Sequence, residues 1–163
     1  MQREIAQLQL ILQQLIAEHD KLLAHLVNQQ AAMKKLDLDA IDKLTGLQDA
    51  TRMRIAALDV KRKSLVNQLA AMLKLPQATT LKKLAEATGQ HKQSLLGLRE
   101  QLKTKVTEIA TRSTVAGRVA GALLGHLNTV VRLLAGAVEQ AGIYTRQGTP
   151  KVSTRIGVIE AVG

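Results

Sequence analysis

The first part of the chain shows a heptad pattern of apolar positions. Starting at Ile5, they recur at alternating spacings of three and four as far as Leu36. This spacing places them on one stripe of a helix and is typical of a coiled-coil seam. His19 and Gln29 interrupt the pattern and are interpreted as polar seam residues that fix the register of the pairing. The ten seam positions are Ile5, Leu8, Leu12, Leu15, His19, Leu22, Leu26, Gln29, Met33 and Leu36.

A second helix is predicted after the phase of the pattern breaks at Asp37. Asp39 is expected to cap it, with Asp42 in the first turn, where a carboxylate interacts favourably with the helix dipole. The helix is expected to end before Pro76, because the residue preceding a proline is disfavoured in the helical region. Its less regular seam consists of Ile41, Leu44, Gln48, Thr51, Ile55, Leu58, Arg62, Leu65, Leu69 and Met72.

A third helix is predicted to start at a cap on Thr79 or Thr80, and no proline follows before Pro150. If it runs unbroken to about Ala141, it is about 90 Å long at 1.5 Å per residue, roughly twice the length of the other two. It therefore either projects beyond them or breaks, and the glycine-rich stretch from Gly117 is the expected place for a bend. Its inner face is formed by Leu81, Leu84, Leu95, Leu98, Leu102, Val106 and Ile109.

The stretch from Val119 to Val138 is apolar enough to raise the question of a membrane span. Because Arg132 would be costly near the centre of a bilayer, we interpret the stretch as a buried helix without membrane insertion. Gly117, Gly121 and Gly125 line one face of it, although each interior glycine destabilises a helix by about 1 kcal/mol relative to alanine. Two compatible interpretations are close approach of a neighbouring helix and a soft segment that adapts to a partner.

The end of the chain is polar and punctuated by glycine. We expect a helical coiled-coil domain over residues 1–142 and a flexible, partner-binding tail over residues 143–163. The tail is rich in Ser, Thr and β-branched residues, so a short helix there would be marginal in water. It is expected to be disordered or loosely docked in the free protein and to fold against a partner. The aliphatic residues that share one helical face of the tail are Val152, Ile156 and Ile159.

Composition narrows the classes of function. Hydrophobic residues make up 46% of the chain, yet it has one Tyr and neither Phe nor Trp, so little aromatic surface is available to bind flat ligands. Cysteine is absent, which excludes disulfides and thiolate metal sites. The four histidines show no metal-ligand spacing, and no phosphate-loop motif or combination of nucleophile, base and orienting group is found. We therefore predict no catalytic residue, no metal and no cofactor, and hence no enzyme.

The basic charge is concentrated towards the C-terminus. The formal net charge is +10; residues 1–75 carry 11 Lys and Arg against 8 Asp and Glu, and residues 76–163 carry 12 against 5. This balance indicates an acidic partner, whether a protein, a nucleic acid or a lipid surface. One Tyr gives no stacking platform for single-stranded nucleic acid, and the cations are interspersed with acids. Nucleic-acid binding stays open, since binding to the phosphate backbone requires only charge.

The order of these features resembles the FlgN family of flagellar export chaperones. The resemblance rests on LDLDAIDKL at 36–44, ALDVKRKSLVNQLAAMLKLP at 57–76, the long third helix, and a Tyr-x-x-x-Gly element from Tyr144 to Gly148. It covers nearly the full chain. One departure is that residues 116–119 contain Gly and Arg where members often carry an Asn-x-x-Asn pair.

The pattern and the resemblance together predict an all-α fold: an antiparallel bundle or coiled coil of three long helices, the third bent or broken, with a flexible C-terminal tail. The resemblance also implies a cytoplasmic chaperone of type III flagellar export. Such proteins bind the helical ends of the hook-associated proteins FlgK and FlgL, prevent their premature assembly, and deliver them to the export apparatus without hydrolysing ATP.

We predict that the C-terminal segment captures a partner helix. Two alternatives are a structural coiled coil that self-associates, for example as a homodimer, and a basic nucleic-acid-binding helical protein. The predicted partner-binding residues are Val119, Leu123, Leu127, Val130, Leu134, Val138, Ile143, Tyr144, Gly148, Val152, Ile156 and Ile159.

Overall fold

The computed structural model describes residues 1–76 and 78–143, with side chains described as far as residue 136. Over these ranges the chain is all-α and contains no strand, which confirms the all-α part of the predicted fold. The helices are α1 (Gln2–Lys35), α2 (Leu38–Met72), α3 (Leu81–Ala87) and α4 (Lys92–Ile143), and a 3₁₀ turn at Gly89–His91 lies between the last two.

A tight turn joins α1 to α2. Leu36 adopts a left-handed conformation with φ 55°, and the Asp37 backbone N–H donates to the Ala32 carbonyl, which satisfies the end of α1. The cap of α2 is Asp37, whose carboxylate accepts a hydrogen bond from the Ala40 N–H at 3.0 Å. The prediction that Asp39 caps α2 was wrong, because the helix starts one residue before Asp39 and places its carboxylate in the first turn.

The first predicted seam is largely confirmed. Nine of its ten positions are buried, and the exception is Leu36, which lies in the exposed turn after α1. Ile5, Leu8 and Leu12 form the main apolar cluster with residues of the later helices. These later residues are Leu65, Val66, Leu69, Leu84, Ala85 and Leu95.

The second seam contains a buried polar region. Gln48 and Thr51 are buried, as are Leu65 and Leu69, whereas Met72 is exposed. The Gln48 amide Nε2 donates to Gln29 Oε1 at 2.9 Å, and Gln29 Nε2 donates to the Thr45 hydroxyl at 2.9 Å. These bonds join residues early in α2 to residues late in α1, so the two helices run antiparallel.

The predicted third helix is broken near its start, at Gly89–His91, and not at the glycine-rich stretch. Thr80 caps α3 by accepting a hydrogen bond from the Lys83 N–H, as expected. The helix is then interrupted at Gly89, which has φ 57°, a conformation that favours glycine. Helix α4 continues without interruption through the glycine-rich stretch.

The first part of α4 lies beside α1 and runs in the same direction. Gln9 donates to the Ser94 hydroxyl at 2.9 Å, Lys105 pairs with Asp20 at 2.8 Å, and Gln30 Nε2 donates to the Arg112 carbonyl at 3.2 Å. Leu95 is fully buried in the main cluster. The last buried side chain of α4 among the described residues is Ala116.

The prediction of a buried helix over residues 119–138 was wrong. Two compact units are distinguished, Met1–Val119 and Ala120–Gly163. No side chain between residues 120 and 136 is buried. The stretch Gly89–Gly136 is long and apolar enough, by length and composition alone, to cross a membrane: one of its 18-residue windows has a mean hydropathy of 1.3, and none of that window is buried.

Candidate functional site

The predicted partner-binding residues of α4 form a line along the helix. Their spacings of four, four, three and four keep them within an arc of about 80° at 100° per residue. Val119 and Leu123 are half-buried, and the other three are exposed. We call this set the α4 stripe; it consists of Val119, Leu123, Leu127, Val130 and Leu134.

The other seven predicted site residues lie after Gly136, where the structure describes no side chains. Val138 and Ile143 lie within α4, but their side chains are outside the described part of the structure. Five further residues lie outside the described residues altogether, so their role remains a prediction. They are Tyr144, Gly148, Val152, Ile156 and Ile159.

Three exposed apolar residues of α4 after Val119 were missed by the sequence prediction. Leu124 and Val131 flank the α4 stripe on one side, and Leu133 flanks it on the other. The prediction followed a single seam and omitted bulky residues beside it. Plotting all aliphatic residues of this segment around the helix axis would have revealed them, because the signal is the width of the apolar arc.

The glycines of α4 do not mediate a close helix contact within the described chain. A Cβ atom placed on Gly117, Gly121, Gly125 or Gly136 would have no neighbouring heavy atom within 4 Å. The interpretation of this row as a surface for close approach therefore finds no partner helix in the described residues. The row lies on the side of α4 opposite the stripe, at about 100° per residue. The interpretation as a soft segment stays a prediction.

The charged residues around the stripe are all positive. No Asp or Glu occurs between Glu108 and Glu139, whereas this interval contains Arg112, Arg118 and Arg132. Among the described side chains, none of the three arginines forms an ion pair. The segment therefore combines an exposed aliphatic stripe with uncompensated positive charge.

Two shallow hollows lie between α1 and α2, with volumes of about 430 and 400 Å³. Gln14 and Lys61 border both of them. Glu18 lines the first, where hydrogen bonds from Arg54 at 2.8 Å and Lys21 at 2.6 Å lower the pKa of its carboxyl below the ordinary value. A carboxylate held charged by two cations is a structural ion pair and is unsuited to act as a general base.

A third hollow, of about 310 Å³, lies beside the buried His19. The Nδ1 of His19 donates to the Leu15 carbonyl at 2.7 Å, within its own helix. Among the described residues, no group of three or more His, Asp or Glu side chains could hold a metal ion. His19 is thus a buried seam residue, as predicted, and the α4 stripe is the candidate site.

The family model described as FlgN protein matches residues 1–151 of the chain. No curated protein and no solved structure matches it.

Proposed function

The chain belongs to the FlgN family, a family of flagellar export chaperones rather than enzymes, and on this premise we propose that it binds the helical ends of the hook-associated proteins FlgK and FlgL. It keeps these substrates from assembling prematurely in the cytoplasm and delivers them to the type III export apparatus. The observation that carries the proposal is the α4 stripe, an aliphatic row on a formed helix that is half-buried at Val119 and Leu123 and exposed from Leu127 to Leu134.

A partner helix is the natural cover for such a stripe. An amphipathic helix binds through apolar residues at spacings of three and four, which is the spacing of the stripe. Full burial of an aliphatic side chain contributes about 1.5–3 kcal/mol, and part of this gain is offset by ordering the partner. Binding of this kind needs no nucleotide and is reversible, as handing over a substrate requires.

We assign distinct roles to the two ends of the chain. Helices α1 and α2 and the first part of α4 form a three-helix coiled-coil scaffold within a helical domain of residues 1–142. Residues 143–163 extend the docking surface as a tail, with Tyr144, Val152, Ile156 and Ile159 as further anchors. The antiparallel pairing of α1 and α2 and the contacts of α4 with α1 support the scaffold.

The central test places charge in the stripe. Leu127→Glu combined with Leu134→Glu should weaken binding to FlgK and FlgL by at least about a hundredfold in titration calorimetry, because two contacts would each lose about 1.5–3 kcal/mol. Met53→Glu with Val60→Glu is the matched control, since both residues are exposed on α2. Equal affinity of the two double variants would refute the stripe as the docking site.

The tail is tested separately by ending the chain after Gly142. Binding should weaken while the helical circular dichroism signal is largely kept, because the truncation leaves the described helices almost complete. Binding that is unchanged by the truncation would remove the tail from the site and leave the assignment to α4 intact.

A second candidate function is self-association through the same stripe, since an exposed aliphatic row also fits a second copy of the chain. Sedimentation velocity over a hundredfold range of concentration distinguishes the two. A dimer that the stripe variant abolishes, without binding of FlgK or FlgL, would favour a structural coiled coil. A monomer that binds either protein would favour the chaperone.

A further inference from the structure

The apolar surface of α4 is wider than one partner helix requires. At about 100° per residue, the stripe spans about 80°, whereas the arc that also includes the flanking residues spans roughly 180°. Between residues 118 and 136, His126 is the one polar residue within this arc, near its Leu133 edge. These flanking residues are strongly exposed: Leu124 by 67%, Val131 by 61% and Leu133 by 69%. A helix that packs on one neighbour typically shows an apolar stripe of about 100°. A flat apolar medium would cover the full arc.

The opposite side of this segment carries polar and small residues and no Asp or Glu. It carries Arg118, Arg132, Asn128 and Thr129 together with the glycine row. Both arginines project about 150–170° away from the middle of the apolar arc, at about 100° per residue. An amphipathic helix at a membrane surface has this arrangement, with cations and polar groups facing the headgroups and aliphatic residues facing the acyl chains.

The charges indicate how the segment would lie. Arg118 and Arg132 are about 21 Å apart along the helix at 1.5 Å per residue, so a helix of this segment that spans a hydrocarbon core of about 30 Å would hold at least one of them inside the core. In a helix parallel to the surface, Arg118 and Arg132 both remain in the headgroup layer. Because the chain has no Asp or Glu between Glu108 and Glu139, nothing in this interval repels anionic lipid headgroups.

We propose that the segment from Arg118 to Gly136 is an interfacial helix that binds reversibly to anionic lipid bilayers. The inference goes beyond the proposed chaperone function. It rests on two observations, which are the width of the apolar arc and the position of Arg118 and Arg132 on the opposite side of the helix. Lipid and partner helix share the stripe, so they exclude each other, and only lipid requires the flanking residues.

The test uses the full chain and unilamellar vesicles. Binding is measured by flotation with vesicles of phosphatidylglycerol and phosphatidylcholine in equal amounts, and with phosphatidylcholine alone. We expect at least tenfold stronger binding to the anionic vesicles and a loss of binding as salt is raised. Arg118→Gln and Arg132→Gln should each lower it about fivefold, corresponding to about 1 kcal/mol per cation.

The flanking residues separate lipid from protein binding. Leu124→Gln with Val131→Gln should lower vesicle binding at least tenfold while keeping the binding of FlgK and FlgL. Met53→Gln with Val60→Gln is the control for a general loss of surface apolarity. Absence of vesicle binding, with or without a dimer in solution, would overturn the inference, and so would equal binding to both vesicle types. Neither result affects the proposed chaperone function, which depends on the stripe.

Discussion

At the scale of single residues, the chain places hydrogen-bonded polar groups where a coiled-coil seam is usually apolar. Gln29 and Gln48 are both buried and bond to each other across the α1–α2 interface. A buried amide that loses its partner pays the cost of leaving water, whereas an apolar pair of similar size does not. The pair therefore contributes less to stability than to the choice of register, which is how polar seam residues act in coiled coils.

This interpretation predicts opposite results for single and double substitutions. Gln29→Leu should lower the free energy of unfolding by about 1–3 kcal/mol, because Gln48, which is 3% exposed, loses its acceptor. Gln29→Leu with Gln48→Leu should restore or exceed the original stability. Urea denaturation measures the free energy of unfolding of both variants. Gln13→Leu, at an exposed position of α1, is the control and should change this free energy by less than about 0.5 kcal/mol. A double variant weaker than the single one would contradict the role given to the pair.

At the scale of elements, glycine has two different effects in this chain. Gly89 separates α3 from α4 with a positive φ, so its conformation ends one helix and allows the next to start. Gly121 and Gly125 lie inside α4 in open space, where they only weaken the helix. The same residue type thus interrupts the helix at one position and only lowers helix stability at others.

Alanine substitutions separate the two effects. Gly121→Ala with Gly125→Ala should stabilise this part of α4 by up to about 1 kcal/mol per site, visible as slower amide hydrogen exchange between residues 118 and 136. Gly89→Ala should instead lower the free energy of unfolding by about 1 kcal/mol or more, because alanine is strained at positive φ. Space cannot explain the contrast, since a Cβ atom at any of the three sites meets nothing within 4 Å. Similar effects of the two substitutions would show that backbone conformation is not the cause.

At the scale of the whole molecule, stability and the proposed binding surfaces lie in different parts of the chain. The buried side chains of the described residues all precede Val119, and the α4 stripe and its flanking residues extend from there to Leu134. A surface whose residues are not part of the hydrophobic core can exchange one binding partner for another without unfolding the scaffold. The separation suits a chaperone that must release its substrate.

The separation predicts that a chain ending at Val119 keeps its stability. Its free energy of unfolding in urea should stay within about 1 kcal/mol of the full chain, because no described buried contact is removed. A chain ending at Gln93 is the control: it lacks the fully buried Leu95 and should lose at least about 2–5 kcal/mol. A large loss from the first truncation would mean that residues after Val119 contribute to the core.

By itself, the sequence determined the elements whose signals are local. The heptad spacing located the α1 seam at nine of its ten positions, the cap of α3 was narrowed to Thr79 or Thr80, of which Thr80 is the cap, and the order of motifs indicated the family. Tertiary structure decided what depends on partners in space. The same aliphatic spacing that buries Leu8 leaves Leu127 exposed, because a seam in the sequence does not show whether another helix lies against it. For the same reason, the aliphatic helix that the sequence predicted both to be buried and to bind a partner is without a buried side chain between residues 120 and 136.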